Sequence, residues 1–169
     1  AAILSIYKHQ TKHNYVPQKY LDEMAGLAAA SGVSVEDTRM GNFLPELFHC
    51  SGFAVMNSAT KDGELFHGRV LDYACDWHLQ DHAVLIIAEP KDGIPFVNVT
   101  YAGFIGSVTG MNSAQVAIGE MGGGGQGHWD GVPMALLVRQ VLDSTKDLES
   151  AVAVFRDQPR TCEYYFVIA

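Results

Sequence analysis

Cys50-Ser51-Gly52-Phe53-Ala54-Val55-Met56-Asn57, followed by Lys61-Asp62-Gly63 and then Glu64-Leu65-Phe66-His67-Gly68-Arg69-Val70-Leu71-Asp72, is the stretch that decides the fold class of this chain. Small and apolar residues over 51–57 suit a strand. Asp62-Gly63 tolerates the positive φ of a type I′ turn, and residues 64–72 return as the partner strand. In such a hairpin the two ends away from the turn lie side by side, so Cys50 becomes a neighbour of Arg69 and Asp72. A free cysteine is by default a small buried hydrophobe, and Arg69 with Asp72 reads equally well as a structural ion pair at a strand end. A guanidinium near a thiol favours the thiolate, however, and a carboxylate beside it can orient an amine or the guanidinium. The three residues are therefore a candidate nucleophilic site.

Upstream of the hairpin, residues 1–49 read as helical. Pro17 suits a first helical position, and Leu21, Met24, Leu27 and Ala28 recur at helical spacing until Gly32 stops the run. Ser34 with Glu36 and Asp37 reads as an N-cap followed by an acidic first turn, and Pro45 breaks or kinks the helix that follows. Downstream, 83–88 and 95–101 form a second hairpin pair around Lys91-Asp92-Gly93. Residues 104–108 and 115–119 are predicted as short strands separated by Gly110-Met111-Asn112. A glycine-rich loop spans 122–127, and two helices follow, one entered through Pro133 and one from about Asp147 to Arg156. A final apolar strand runs from Tyr164 to Ala169. Helices, a run of antiparallel strands, then helices and a strand predict an α+β fold.

The chain has 169 residues with Lys+Arg 11 against Asp+Glu 19, a formal net charge of −8, 48% hydrophobic and 18% charged residues. At roughly 100–200 residues per domain this is one domain or part of one. The acidic balance, without a basic stripe, argues against nucleic acid as a partner. The longest apolar stretch, Val132 to Val138, contains a proline and falls far short of the roughly 20 residues of a membrane helix, so no membrane partner is expected. Three cysteines without a Cys-x-x-Cys pair do not make a disulfide framework. The aromatic and β-branched end at Tyr164 to Ala169 predicts that more chain follows, because domains usually end in solvated residues.

The blocks Cys50 to Ala54, Ala59-Thr60-Lys61-Asp62-Gly63 and His67 to Asp72 resemble the start of the catalytic chain of N-terminal-nucleophile hydrolases. The nearest likeness is to the penicillin acyltransferase-like family, relatives of choloylglycine hydrolases and acid ceramidase. Gly110-Met111-Asn112, Ala117-Ile118-Gly119-Glu120, Gly122 to Gly125, Trp129 to Ala135 and Pro159-Arg160-Thr161-Cys162 continue the resemblance in the family's order. It implies an αββα sandwich, of which this chain would be an incomplete N-terminal part. Residues 1–49 would be a helical lead-in, a candidate propeptide, and 50–169 the first part of the catalytic domain.

The resemblance also implies a mechanism. Self-cleavage between His49 and Cys50 frees an α-amine that serves as general base for the thiol of the same residue. Cys50 would then form an acyl-enzyme from a non-peptide amide or an acyl-coenzyme A-like thioester and pass the acyl group to water or an amine. Asp72 would hold the α-amine, and Arg69 would sit close to the sulfur and tune its charge. Glu120 is a substrate-site candidate by the same likeness, while Phe104 and Trp129 are candidates to line a pocket. His49 stands where some relatives carry glycine. The asparagine and second arginine of relatives would lie beyond Ala169, as would much of the substrate pocket.

Other readings carry less weight. Cys75, His78 and His82 have a metal-like spacing, but three ligands share a face only if 75–82 is helical, so no metal and no cofactor are expected. A papain-like pair lacks a histidine singled out by context. The glycine loop lacks the Lys-Ser/Thr of a phosphate-binding loop and suits a pocket rim better. Cys162 reads as structural. The expected partners are a small amide or acyl thioester and, for the sheet face left open, a missing C-terminal segment or a self-associated copy. The alternative from another class is a non-catalytic α+β binding or structural domain.

Overall fold

A computed structural model describes residues 2–47, 50–123 and 127–169. The lead-in forms three helices, α1 (Ala2–Lys12), α2 (Gln18–Ser31) and α3 (Val35–Phe43). The local signals act as the sequence suggests. Gly32 ends α2 in the left-handed region at φ 76°, with its N–H on the Ala28 carbonyl. The Ser34 hydroxyl accepts from the Asp37 amide at 3.0 Å and caps α3. Pro45 cannot continue α3, and residues Leu44–Leu47 tighten into a 3-10 turn.

Strands β1 (Ser51–Asn57) and β2 (Gly63–Val70) pair as an antiparallel hairpin, with Gly52 opposite Arg69. The turn differs from the expected two-residue type I′. A longer loop joins the strands, Asn57 itself takes a positive φ of 53°, and the register slips between Val55 and Asn57. The early turn at Met56 and Asn57 captures the amides of Ala59 and Thr60, so Asp62-Gly63 only leads into β2.

The remaining strands, β3 (Ala83–Ala88), β4 (Phe96–Tyr101), β5 (Thr109–Asn112), β6 (Ala117–Gly122) and β7 (Tyr164–Ile168), form one antiparallel sheet in that order. The segment 104–108 is not a strand, and Gly110 to Asn112 is strand rather than turn. Ring burial of Phe104, and tertiary partners for the Ile105 and Ser107 amides on Asn42 and Ala135, draw that segment off the sheet. Asn112 then closes the β5–β6 turn by accepting from the amides of Ala114 and Val116.

Helices α4 (Met134–Ser144) and α5 (Leu148–Asp157) cover one face of this sheet. Tyr20, Met24 and Phe43 of the lead-in enter the same apolar core as Ile118 of β6 and Leu136, Leu137, Val138 and Leu142 of α4. On the other side the β1–β2 hairpin lies across β6, where a Cβ at Gly119 would stand 2.7 Å from His67 Nε2 and 3.1 Å from Arg69 Cγ. Glycine at 119 therefore lets the two sheets close. The hairpin covers only part of that face. Leu85, Ile87, Val99 and Met111, neighbours on one side of β3, β4 and β5, remain exposed, up to 71% at Ile87.

Asn42 ties the lead-in to the sheet. Its buried amide donates to the carbonyls of Thr38 and Gly103, at 2.9 and 3.0 Å, and accepts from Ile105 N at 2.7 Å. Asn42→Ala leaves those groups unpaired and is expected to cost about 2–4 kcal/mol. The matching fall in melting temperature is roughly 5–10 °C by circular dichroism; an unchanged melt would remove this tie.

Candidate active site

Cys50 directly precedes β1 and is buried, 8% exposed. Its carbonyl accepts from Gly122 N at 2.9 Å, which fixes the residue at the end of β6. The hairpin brings Arg69 and Asp72 to the same place from the end of β2. The two do not pair with each other. The Arg69 guanidinium crosses Gly119 to reach Glu120, Nη2 donating to Oε2 at 2.7 Å and Nε to the Glu120 carbonyl at 3.1 Å. This ion pair is shut away from water, with side chains 4% and 1% exposed. Asp72 instead accepts through its carboxylate from the Ser51 hydroxyl, and its backbone amide donates to the Cys50 sulfur.

The pull of Arg69 toward the thiolate is present but outweighed. Burial first, and then the Glu120 charge, push the Cys50 thiol up to about 12, against the opposing pull of Arg69 and the Asp72 amide. The guanidinium lies near the sulfur but its charge is matched by Glu120, to which the thiol also donates. The thiol of the uncut chain is held neutral.

Glu46 stands at the end of the lead-in and was not singled out from the sequence. One carboxylate oxygen accepts from Met134 N at 2.6 Å and so caps the start of α4, and its backbone carbonyl accepts from the Tyr164 hydroxyl at 2.9 Å. Burial raises the carboxyl to about 7, opposed by Thr161, the Met134 amide and Gln10, and assisted by Glu120.

A mostly apolar cavity of about 290 Å³ opens beside Arg69, walled by Leu71, Tyr73, Leu79, Val99 and Tyr101. It adjoins the uncovered sheet face at Val99. Phe104 does not line it; its ring is buried in the core and stacks on Tyr101 with centroids 5.1 Å apart. Trp129 borders a separate groove with Ile6, His9 and Asp130. Cys75, His78 and His82 fall in two consecutive 3-10 turns, where His78 Nδ1 lies 3.0 Å from the Asp81 carboxylate. The expected cleavage position His49 and half of the glycine loop, 124–126, lie outside the described residues. Sequence reading missed Tyr73 and Tyr101. Only burial marks Tyr101: in β4 it alternates through Phe96, Asn98 and Thr100, and a second consecutive buried residue at 101 shows where both faces become covered.

The model of the acyl-coenzyme A:6-aminopenicillanic acid acyl-transferase family matches residues 58–169. The chain belongs to this family. It is 29% identical over 165 residues to protein dcd1A of Dictyostelium discoideum, covering 89% of this chain and 37% of that protein. To the N-acylethanolamine-hydrolyzing acid amidase of Mus musculus it is 22% identical over 165 residues, covering 92% and 45%. Acid ceramidase of Bos taurus is 23% identical over 177 residues, with 90% and 44% covered. The solved structure of the Caenorhabditis elegans N-acylethanolamine-hydrolyzing acid amidase ortholog superposes with a TM-score of 0.57 at 20% identity, covering 70% of this chain and 53% of that one. The α+β fold read from the residues and the N-terminal-nucleophile hydrolase fold implied by the resemblance both stand. The chain spans less than half the length of the curated relatives named here.

Two expected outcomes follow from the charges. Glu120→Gln removes the anion beside the thiol, so the pH midpoint of Cys50 alkylation, read on its peptide, falls below that of the parent. Arg69 is then buried without its partner, and stability drops by about 3 kcal/mol. Glu46 takes up its proton at higher pH when folded, at about 7 against an ordinary 4.5, so its stabilising protonation is fully present below 4.5 and lost as pH rises through 7. Glu46→Gln should flatten that decline, by up to about 3 kcal/mol in denaturant titrations between pH 5 and 8; parallel curves for both proteins would contradict it.

Proposed function

We propose that the chain is the front part of a self-activating cysteine amidohydrolase or acyltransferase of this family, with Cys50 as nucleophile. The observation that carries the reading is the buried Cys50 thiol just before β1, flanked by Asp72 and by the Arg69–Glu120 pair, whose arginine lines an apolar cavity. Family membership and relatives whose names describe amide hydrolysis support the chemistry.

In this reading the thiol attacks the His49 carbonyl carbon: the C–S bond forms, the C–N bond to Cys50 breaks, and the thiol proton passes to the Cys50 nitrogen as it leaves. Water then hydrolyses the thioester, releasing residues 1–49 with a new carboxylate and leaving Cys50 with a free α-amine. A thiol held neutral needs a base, and the α-amine supplies one in the same residue. The Asp72 carboxylate holds the resulting ammonium. The thiolate attacks the substrate carbonyl, a C–S bond forms, and the C–N or C–S bond to the leaving group breaks as that group takes the proton from the ammonium. Water or an amine then releases the acyl group and returns the thiol. The cavity walled by Leu71, Leu79 and Val99 takes an acyl chain, so the substrate class is a non-peptide amide or acyl thioester with an apolar acyl part. Glu120 acts by fixing Arg69.

The exposed face of Leu85, Ile87, Val99 and Met111 adjoins that cavity, and we assign its cover to the C-terminal segment of the same polypeptide rather than to a self-associated copy.

Intact-mass measurement of the freshly made full-length polypeptide tests the reading. Two chains dividing between His49 and Cys50, and a single chain in Cys50→Ala, are the expected result. The released lead-in should co-elute until denaturant is added, because Tyr20, Met24 and Phe43 sit in the shared core. A single uncut chain with an unreactive Cys50 would favour the non-catalytic α+β domain.

A further inference from the structure

Tyr101 ends β4 with 7% of its surface exposed, and among the described residues its hydroxyl is a buried polar atom without a hydrogen-bond partner. A buried hydroxyl left unpaired is costly, and phenylalanine would fill the same space without that cost. The ring position is fixed: the face stacks on Phe104, and the backbone carbonyl accepts from Phe104 N at 3.3 Å. The residue walls the apolar cavity together with Arg69 and Tyr73, the groups that surround Cys50.

The groups facing the sulfur differ in what they offer to a negative charge there. Glu120 from β6 repels it. Arg69 from β2 attracts it, but is tied to Glu120. The Asp72 amide donates one hydrogen bond. When the thiol loses its proton, its own donation to Glu120 is lost and the sulfur can accept further hydrogen bonds in a site with little water. A phenol O–H rotates about its C–O bond to suit an acceptor. Burial and the charge at Cys50 both keep the Tyr101 phenol protonated, so it stays a donor when the thiolate forms.

We propose that Tyr101 is a positioning residue for the nucleophile, its otherwise unpartnered hydroxyl donating to the Cys50 sulfur once that sulfur is charged. The inference rests on Cys50 being the nucleophile. It assigns to the site a donor that comes from the sheet beneath the hairpin rather than from the hairpin itself. A hydrogen bond to an ionised acceptor is among the stronger ones, and in a dry site it lowers the acidity midpoint of the thiol.

The test is Tyr101→Phe in the full-length chain, with iodoacetamide alkylation followed on the Cys50 peptide across pH and with thermal unfolding beside it. The expected result is an alkylation midpoint raised by about one pH unit, roughly a tenfold slower reaction at fixed pH below the midpoint, and a melting temperature that holds or rises. A midpoint that does not move, with the stabilisation alone, would overturn the inference and leave Tyr101 as a packing aromatic. Should Tyr101→Phe unfold, O-methyltyrosine at 101 retains the ring and its oxygen but has no O–H to donate. It must raise the thiol midpoint, and an unchanged or lowered midpoint would count against the proposal. Cys50 that stays unalkylated at every pH in the parent as well would instead remove the nucleophile reading on which this rests.

Discussion

The Arg69–Glu120 ion pair joins the two layers of this molecule beside the Cys50 thiol. Arg69 belongs to the hairpin and Glu120 to β6, between β5 and β7 in the lower sheet, and both side chains are almost wholly out of water. Removing two charges from water is expensive, and the pair is favourable only because the guanidinium also donates to the Glu120 carbonyl at 3.1 Å. Its consequence is positional. The arginine stem must run across β6, which requires glycine at 119, and this fixes how far the hairpin can approach. Cys50 follows, held between the hairpin and the Gly122 amide.

The same pair sets the charge state of the thiol. A lone arginine would draw the proton off, but an arginine matched by glutamate cancels most of that effect, and burial then dominates. A site arranged in this way keeps the thiol neutral. Glu46 caps α4 while Tyr164 holds its carbonyl, so the lead-in at Glu46 is anchored to both α4 and β7. Three helices of the lead-in share the core of the sheet, and severing one peptide bond would leave those apolar contacts in place.

The open face of β3, β4 and β5 and the cavity beside Arg69 are parts of one surface. Val99 belongs to both. An apolar chain seated in the cavity and a protein segment covering the sheet would therefore touch, which makes substrate shape depend on whatever covers that face.

The sequence by itself determined what is local. The stop at Gly32, the Ser34 cap, the Pro45 break, the start of α5 near Asp147 and the pairing of β1 with β2 and of β3 with β4 rest on interactions between near neighbours in the chain, and they were legible. The resemblance placed Cys50, Arg69, Asp72 and Glu120 in one group, which the fold brings together. What escaped the sequence was decided by distant partners. Residues 104–108 look like a strand until Asn42 and Ala135 claim their amides. Arg69 pairs with Glu120 across 51 positions rather than with its neighbour Asp72, and that choice sets the charge of the thiol. Tyr101 and Glu46 are unremarkable as letters. Burial gives each its meaning, because a hydroxyl or carboxyl costs nothing in water and must be accounted for only where the tertiary fold has removed the water.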